Sequence, residues 1–312
     1  MENIIIKNYE DKDLYNYVNF FNFIAKELNS GTTSEEDVKI YFQDSRMDPY
    51  KNMFVAYKED KFIGFTRIYL DFKKDIKKVE SRLIVHPKYR RKGIGTNLLK
   101  TILNRCNKLN INIMDVYTLK DSEAAREFAK KHKFKIERYS FKMRKENLKN
   151  IEKVKIPNGI TFDKLNFEKY SLKDLTDIDN ETFKDHWGFM EVNEDDWERE
   201  TKSSYFLENG IIFAKDREEI VGFSYAEFDE EDIKKRGERV GYIYMLGVKK
   251  DYRRKGIGKA LLLSSIKFLK KHRVDIAELG VDAENPNKAK HLYESVGFRE
   301  KSRAVCFRKH LK

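Results

Sequence analysis

The spacing of hydrophobic residues along this chain changes from segment to segment, and the same order of spacings occurs twice. In each half, a charged helical stretch (11–28, 172–183) precedes runs of period two, which is typical of half-buried strands. A basic loop with glycines follows, after which the apolar positions take the 3.6-residue spacing of a helix. A last helix and strand end each half. Strands are predicted at 53–57, 61–68, 79–85 and 111–116 and at 211–214, 220–227, 240–248 and 276–281. The pattern predicts two α+β units with mixed sheets.

The repeat is also visible at the level of identical residues. Residues 89–95 (YRRKGIG) recur unchanged 163 positions later, at 252–258. The segment 62–65 (FIGF) is matched by 220–223 (IVGF). A period of this length is the size of a domain, which indicates gene duplication with fusion. We predict domains at 1–148 and 158–312, joined by a polar linker at 149–157 that ends at Pro157 before a turn.

Composition narrows the possible classes of protein. The 312 residues are 40% hydrophobic and 13% aromatic, enough for a core in each half. No apolar run of about 18 residues and no signal peptide is present, so we expect a soluble, cytoplasmic protein that does not contact a membrane. Cys106 and Cys306 have no metal-ligand spacing around them. The net charge of +12 is interleaved with acidic residues, and without a recognised motif we expect no specific nucleic acid partner.

The duplicated loop has the chemistry of an anion site. A strand, then Arg-x-x-Gly-x-Gly, then a helix brings free backbone N–H groups and a positive helix end around one concavity. The basic residues favour a ligand with several phosphates. A P-loop needs Gly-Lys-Ser/Thr, whereas the last glycine is followed by Thr96-Asn97 in the first copy and by Lys259-Ala260 in the second. Leu98 and Leu261 stand where the dinucleotide fingerprint needs a third glycine. A simple helix cap is the alternative, but the duplication argues against it.

These residues resemble the GCN5-related N-acetyltransferases. That family carries Arg/Gln-x-x-Gly-x-Gly/Ala after its fourth strand, and 85–95 and 248–258 both fit. The second copy also has the later family motif at 285–298 (NPNKAKHLYESVGF). The resemblance implies two tandem domains of this fold, each a mixed, mostly antiparallel sheet flanked by helices. It also implies acetyl-CoA as the acyl donor, and the scheme needs no metal.

By this resemblance, the loop amides bind the coenzyme pyrophosphate and the edge of the fourth strand pairs with the pantetheine arm. The implied coenzyme-binding residues are Leu246, Gly247, Val248, Arg253, Arg254, Lys255, Gly256, Ile257, Gly258, Lys259 and Asn287 in the second copy, and Leu83, Val85, Arg90, Arg91, Lys92, Gly93, Ile94, Gly95 and Thr96 in the first.

The tandem arrangement and residues 183–188 (FKDHWG) are similar to the two-domain acetyltransferases that include mycothiol synthase. The resemblance implies substrate contacts at Asp185, His186 and Trp187. His186 and Trp187 could instead form a corner of the core. The chain departs from that group at Tyr242, which follows Gly241 where the group is expected to carry a glutamate.

The two copies differ in the later motif. Tyr293 of the second copy corresponds to Ala129 of the first, and Gly297 corresponds to Lys133. Acyl transfer from a thioester expels a thiolate, and a tyrosine hydroxyl beside the sulfur can stabilise or protonate it. We therefore predict a catalytic second domain and a degenerate first domain that keeps the phosphate loop. A packed aromatic without a catalytic role is the alternative for Tyr293.

An attacking amine must lose a proton, so the site needs a base. Glu227 on the strand at 223–228 is the first candidate, and Glu181, Asp185 and His186 are others. Glu227 could equally lie on a solvated strand face. A backbone N–H near Leu246 is the expected donor to the carbonyl oxygen.

We therefore expect an N-acetyltransferase that moves acetyl from acetyl-CoA to a primary amine by direct attack, because neither cysteine is placed to carry an acyl group. A small-molecule amine is the first choice of acceptor, and a protein N-terminus or lysine is the second. A non-catalytic acyl-CoA sensor is the alternative of another class. A monomer or a homodimer would serve either function.

Overall fold

The computed structural model describes residues 4–73, 76–285 and 287–311. The chain forms two compact units. Unit 1 contains Met1–Tyr139 together with Arg303–Lys312, and unit 2 contains Ser140–Ser302. Pro286 of the later motif lies outside the described residues.

The first half of the chain supplies six strands and five helices in the described ranges. They are β1 (Ile4–Asn8), α1 (Leu14–Glu27), α2 (Glu35–Phe42), α3 (Pro49–Asn52), β2 (Met53–Lys58), β3 (Lys61–Lys73), β4 (Ile76–Val85), α4 (Ile94–Lys108), β5 (Ile113–Tyr117), α5 (Glu123–Lys131) and β6 (Lys135–Lys145).

The second half repeats this order with small changes. Its elements are β7 (Ile160–Lys164), α6 (Leu172–Phe183), α7 (Glu194–Glu200), β8 (Ile211–Asp216), β9 (Glu219–Glu227), α8 (Glu230–Arg236), β10 (Val240–Val248), α9 (Ile257–Lys271), β11 (Ile276–Asp282), α10 (Ala289–Ser295) and β12 (Arg299–His310).

Each unit has a mixed sheet that is mostly antiparallel. In unit 1 the strands follow the order β1-β2-β3-β4-β5-β12, and in unit 2 the order is β7-β8-β9-β10-β11-β6. The pairs β4–β5 and β10–β11 are parallel, and the other pairs in these orders are antiparallel. The predicted α+β fold class with two tandem units is confirmed.

The last strand of each sheet comes from the other half of the sequence. Residues 140–145 of β6 pair with β11 in unit 2, and residues 306–310 of β12 pair with β5 in unit 1. The sequence prediction divides the chain at a linker of residues 149–157, whereas the compact units divide it at 140 and 303. The difference arises because an antiparallel strand can pair with any edge of matching register, whatever its place in the chain.

The helix after each loop buries its apolar face against the sheet, as its periodicity predicts. Leu98 and Ile102 of α4 are fully buried, and so are Leu261 and Ile266 of α9. Cys106, also in α4, is a free and fully buried thiol, and burial raises its pKa to about 12. Within the described ranges, no helix has both the length and the apolar composition needed to cross a membrane.

Candidate functional site

The loop between β10 and α9 has the backbone geometry of an anion cradle. Arg254 and Gly256 take left-handed conformations, with φ values of 64° and 88°. The first N–H groups of α9 follow at once, have no acceptor within the helix and lie at its positive end. The side chains of Arg254 and Lys255 are exposed beside them. Together these groups fit a ligand with phosphate oxygens.

Arg253 ties this loop to its protein neighbours. Its Nε donates to the carbonyl of Val248 (2.9 Å), and its Nη2 donates to the carbonyl of Thr182 (3.1 Å). The Nη1 atom lies 3.6 Å from Asp185 and donates to Oδ1 of Asn287 (3.4 Å). These contacts hold the loop against the ends of β10 and α6, so Arg253 positions the cradle.

The predicted coenzyme residues Ile257 and Gly258 offer no side chain to a ligand. The side chain of Ile257 is 1% exposed and packs in a cluster with Leu261 and Val248. A Cβ built on Gly258 would lie 3.6 Å from Leu292. The Lys259 ammonium lies 2.9 Å from Glu152. Any contact of Ile257 or Gly258 with a ligand would therefore go through the main chain.

Strands β10 and β11 separate soon after they start. Residues 240–242 of β10 pair with residues 276–278 of β11. Beyond this point the two strands are not paired with each other, although β10 continues to Val248 and β11 to Asp282. The main chain of β10 beyond Tyr242 therefore keeps polar groups that β11 does not use. Such an edge can pair with an extended ligand as an added strand would. Leu246 and Gly247 lie on this edge.

Gly247 also allows the end of α6 to approach the strand. A Cβ built on Gly247 would lie 2.3 Å from Oγ1 of Thr182 and 3.2 Å from the ring of Phe183. Any larger residue would push α6 away. The glycine in β10 therefore sets how closely the segment that carries Asp185 and His186 can pack.

A β-bulge interrupts the pairing of β10 with β9. Ile243 pairs with Ala226 and Met245 pairs with Tyr225, so Tyr244 is the extra residue. Bulges bend the strand and redirect side chains, and they are frequent beside active sites. The side chain of Tyr244 is 58% exposed. The bulge frees main-chain polar groups at the point where β10 leaves β11.

The carboxyl groups of Glu227, on β9, and of Glu200, at the end of α7, lie close together around Tyr225. Glu227 is 8% exposed, and its burial, together with the charge of Glu200, raises its pKa to about 8. The hydroxyl of Tyr225, beside Glu227, donates to Oε1 of Glu200 (3.4 Å). The ring of Tyr244 meets that of Tyr225 edge-on, with centroids 5.6 Å apart. The structure thus brings Glu227 to the bulge and makes it a better proton acceptor than an ordinary glutamate.

Tyr293 lies on α10 and is 8% exposed. It belongs to the same buried cluster as Ile243 and Leu279, the first residues of β10 and β11 beyond their pairing. Burial raises the pKa of Tyr293 to about 12, so its hydroxyl keeps its proton at neutral pH. No hydrogen-bond partner for that hydroxyl occurs among the residues that the structure describes.

The segment after α6 lies beside the phosphate-type loop. Asp185 is exposed and faces Arg253, while the ring of His186 packs against Phe183 with centroids 4.7 Å apart. Burial and then the charge of Arg253 lower the pKa of His186, which keeps it neutral. Trp187 is half-buried. These contacts place Asp185 and His186 at the loop, with no contact to Glu227 among them.

Unit 1 keeps the loop geometry. Arg91 and Gly93 have φ values of 64° and 84°, and Nε of Arg90 donates to the carbonyl of Val85 (3.0 Å). Arg91 pairs with Glu127 at 2.9 Å. Of the other predicted residues, Leu83 and Ile94 pack in the core, Lys92 is exposed, Gly95 faces Phe128, and Oγ1 of Thr96 lies 3.1 Å from His132.

Unit 1 lacks the bulge and the tyrosine hydroxyl of unit 2, although its β4 also continues beyond its pairing with β5. The pairing of β3 with β4 begins with Gly64 opposite Val85 and ends with Lys73 opposite Ile76. It has no register shift between these pairs, so β4 has no bulge. Ala129, in the place of Tyr293, is 5% exposed and offers no hydroxyl. The two units therefore share the loop geometry, while the bulge and the predicted acid–base residues Glu227 and Tyr293 occur in unit 2.

The sequence predicts roles for the loops, Glu227 and Tyr293, and these roles stay predictions. The structure adds Glu200, Tyr225 and Tyr244 as neighbours of Glu227. Glu200 ends a helix that the periodicity did not predict, and Tyr244 becomes distinctive only through the bulge. The sequence signal for this cluster is the presence of Tyr225 and Tyr244 in two successive predicted strands. In the part of the chain that the structure covers, no group of three or more His, Cys, Asp or Glu side chains is placed to hold a metal ion.

Comparison with known proteins agrees with this geometry. The model of the acetyltransferase (GNAT) family matches residues 17–134 and 172–298. The mycothiol acetyltransferase of Acidothermus cellulolyticus is 25% identical over 258 residues, which are 80% of this chain and 76% of that protein. A GCN5-related N-acetyltransferase structure from Sphaerobacter thermophilus has a TM-score of 0.75 at 18% identity, covering 99% of this chain and 96% of that one. A tandem GNAT protein from the clavulanic acid biosynthesis pathway has a TM-score of 0.74 at 12% identity, covering 99% of both chains.

Proposed function

The chain belongs to the acetyltransferase (GNAT) family and is an N-acetyltransferase that uses acetyl-CoA, and we propose that unit 2 carries out the transfer, by direct attack of a small-molecule primary amine. Unit 1 keeps the cradle and has lost the catalytic groups. The observation that carries this assignment is the bulge between Ile243 and Met245, next to Glu227, at a position where β4 of unit 1 is regular.

The residues of unit 2 fit the coenzyme. The amides around Gly256 and at the start of α9 would hold its pyrophosphate, and the free edge of β10 near Leu246 would hold its pantetheine arm. The φ of 88° at Gly256 makes the close main-chain approach possible. When bound, acetyl-CoA supplies an acetyl group activated as a thioester.

Glu227 would act as the base toward the amine. An amine arrives as an ammonium ion, which Glu200 attracts, as Glu227 does once it is ionised. With a pKa raised to about 8, Glu227 then accepts a proton more readily than an ordinary carboxylate, and a general base works best with a pKa near the working pH. The faces of Tyr225 and Tyr244 can add cation–π attraction.

Tyr293 would act as the proton donor to sulfur. Its cluster includes Ile243 and Leu279 at the fork between β10 and β11, where an arm lying along β10 would end. Its hydroxyl keeps its proton at neutral pH because burial raises its pKa. N–H groups freed by the bulge are the candidate donors to the carbonyl oxygen.

Two observations support a small acceptor. The relative from Acidothermus cellulolyticus is named for mycothiol, which points to a small molecule. In addition, aromatic side chains cover the face that carries Glu227: Trp197 and Phe206 pack on Tyr225, with centroids 6.3 and 6.0 Å away. Tyr242 is not free to act as a base there, because its hydroxyl bonds to Arg236 and Asp232.

Release of free thiol from acetyl-CoA, measured against a panel of small amines, amine-bearing thiols and lysine peptides, tests this function. We expect a sequential kinetic pattern with a small amine and loss of turnover in Glu227→Gln. Ping-pong kinetics would contradict direct attack. Tight coenzyme binding without turnover on any amine would favour the acyl-CoA sensor, and turnover on peptides alone would favour a protein acetyltransferase.

A further inference from the structure

Two arginines face each other across the central hairpin of unit 1. Arg67 on β3 and Arg82 on β4 are direct partners in the antiparallel register, two positions beyond the pair Phe65–Ile84. Directly opposed residues have Cβ atoms about 4.5–5.5 Å apart, and like charges at such positions destabilise a sheet. A folded protein that keeps this pair needs a source of negative charge between them.

The pair lies on the face that α1 and α2 cover. Phe65 and Ile84 belong to the cluster that contains Tyr17 of α1, and residues two apart in a strand share a face. Tyr41 of α2 lies over Arg67, whose guanidinium carbon is 4.5 Å from the ring centroid. Both arginines are half-buried, which leaves a path from solvent.

The protein does not neutralise these two charges. Arg67 donates from Nη1 to the hydroxyl of Tyr41, and its Nε is buried without a partner. Arg82 has no hydrogen bond and no ion pair with any residue that the structure describes. Burial and the neighbouring positive charge of Arg67 lower the pKa of Arg82. The pKa of Arg67 is raised by its tyrosine neighbours in spite of its burial, so Arg82 is the less compensated of the two.

Two carboxyl groups of this unit, Glu80 and Asp44, have their hydrogen bonds and close ion pairs with other residues, although the charge of Glu80 also acts on Arg82. Glu80 accepts a hydrogen bond from the hydroxyl of Tyr117 (3.2 Å) and lies 3.8 Å from Lys78. Asp44 forms an ion pair with Arg46 at 2.8 Å. Burial also raises the pKa of Glu80, which weakens it as a counter-charge for Arg82.

The position of the pair corresponds to the acid–base site of unit 2. Aligning 62–65 with 220–223 places Arg67 at Tyr225, and aligning 89–95 with 252–258 places Arg82 at Met245. The face that presents carboxyl groups in unit 2 thus presents guanidinium groups in unit 1. Guanidinium forks match the oxygens of carboxylate and phosphate groups, with two hydrogen bonds to each group.

We propose that unit 1 binds a small organic anion, through its carboxylate or phosphate oxygens, between the guanidinium groups of Arg67 and Arg82. This site is separate from the loop at 90–95, since its residues lie on β3 and β4 and under α1 and α2. It gives the degenerate unit a ligand of its own, opposite in charge to the ammonium acceptor of unit 2.

Thermal unfolding of the full chain, at constant ionic strength and with excess coenzyme A to fill the loops, tests the site. The probes are inorganic phosphate and succinate, which separate the two kinds of oxyanion. Wild type should show a saturable rise in unfolding temperature with at least one probe. Arg67→Gln and Arg82→Gln should each raise the half-saturating concentration at least about tenfold. Arg82→Lys should recover part of the loss.

A charge-matched variant separates this site from general electrostatics. Arg126→Gln removes one positive charge that is already paired with Asp121, and it should leave the response unchanged. Without anion, Arg82→Gln should unfold at a higher temperature than wild type, because the repulsion is gone. An anion response equal in wild type and both glutamine variants would belong to the loops and would overturn the proposal. No saturable response to either probe, or lower unfolding temperatures for both variants without anion, would overturn it too.

Discussion

Arg308, which is half-buried, and Asp115, which is fully buried, lie 193 positions apart in sequence and form an ion pair, with Nε 2.7 Å from Oδ1. They are also direct partners in the register of β12 and β5. Unit 2 repeats the relationship with Arg144 on β6 and Glu278 on β11, whose closest atoms are 3.2 Å apart. In each unit an arginine on the exchanged strand therefore meets a fully buried carboxylate on the fifth strand.

Removal of this arginine should loosen the exchanged strand of unit 1. Arg308→Met would leave Asp115 buried with Lys78, 3.2 Å away, as its remaining ion-pair partner in the described structure. Breaking a buried pair from one side costs about 3–5 kcal/mol of unfolding free energy. We expect a clearly lower midpoint of urea unfolding. The control Arg126→Met, which breaks an exposed pair, should change the midpoint little. Equal shifts for the two variants would show that Arg308 is not an anchor.

The hydroxyl of Tyr293 should matter for the rate and not for coenzyme binding. Tyr293→Phe removes a proton donor that has no hydrogen-bond partner in the described part of the chain, so the fold should be kept. Positioned acids contribute about 10²–10⁴-fold to a rate. We expect kcat to fall by about a hundredfold with little change in the dissociation constant of acetyl-CoA, measured by calorimetry. Tyr170→Phe is the control: it removes the hydroxyl of a buried tyrosine in another cluster, one that donates to Asp163. An unchanged kcat in Tyr293→Phe would show that this residue only packs.

Glu227 should set the pH dependence of activity. Its pKa is raised to about 8, mainly by burial, so the carboxylate needed for proton transfer forms as the pH rises through that value. We expect kcat/KM to increase with pH and to level off above about 8, and Glu227→Gln to abolish this limb together with most of the activity. A profile that is flat between pH 6 and 9 would contradict the assignment.

Glu227 should also make the free energy of unfolding decrease as the pH rises. Since the pKa of Glu227 in the folded state exceeds the ordinary glutamate value of 4.5, the folded state binds more protons than the unfolded state between the two values. This contribution of Glu227 is complete below the unfolded pKa and is lost as the pH rises toward about 8. Urea unfolding of wild type and Glu227→Gln at several pH values measures it, and the variant should lose part of the slope.

The two cradles can be tested separately with the glycines that open their helices. Gly256 and Gly93 have φ values of 88° and 84°, where a β-branched side chain is strained. Gly256→Val should abolish turnover and remove one coenzyme site in calorimetric titration. Gly93→Val should leave turnover intact and report whether unit 1 also binds coenzyme. Turnover lost in Gly93→Val and kept in Gly256→Val would move catalysis to unit 1.

Much of the fold and part of the site could be predicted from local patterns. The strand at Val240–Val248 and the helix at Leu172–Phe183 have the predicted bounds, because period two and period 3.6 are properties of short segments. The glycines of the loops were predictable for the same reason: a left-handed conformation between a strand and a helix depends on a few neighbouring residues. The substitution of Tyr293 by Ala129 was visible from alignment of the two copies alone.

The sequence by itself determined the two-unit α+β fold, the two anion cradles and the difference between their later motifs, because each depends on neighbouring residues or on the internal repeat. Tertiary structure decided the exchange of β6 and β12, the bulge at Tyr244 and the opposition of Arg67 and Arg82. Each of these depends on which strand lies beside which and in what register. That choice follows from hydrogen bonds and burial between segments far apart in the chain, which no local pattern records.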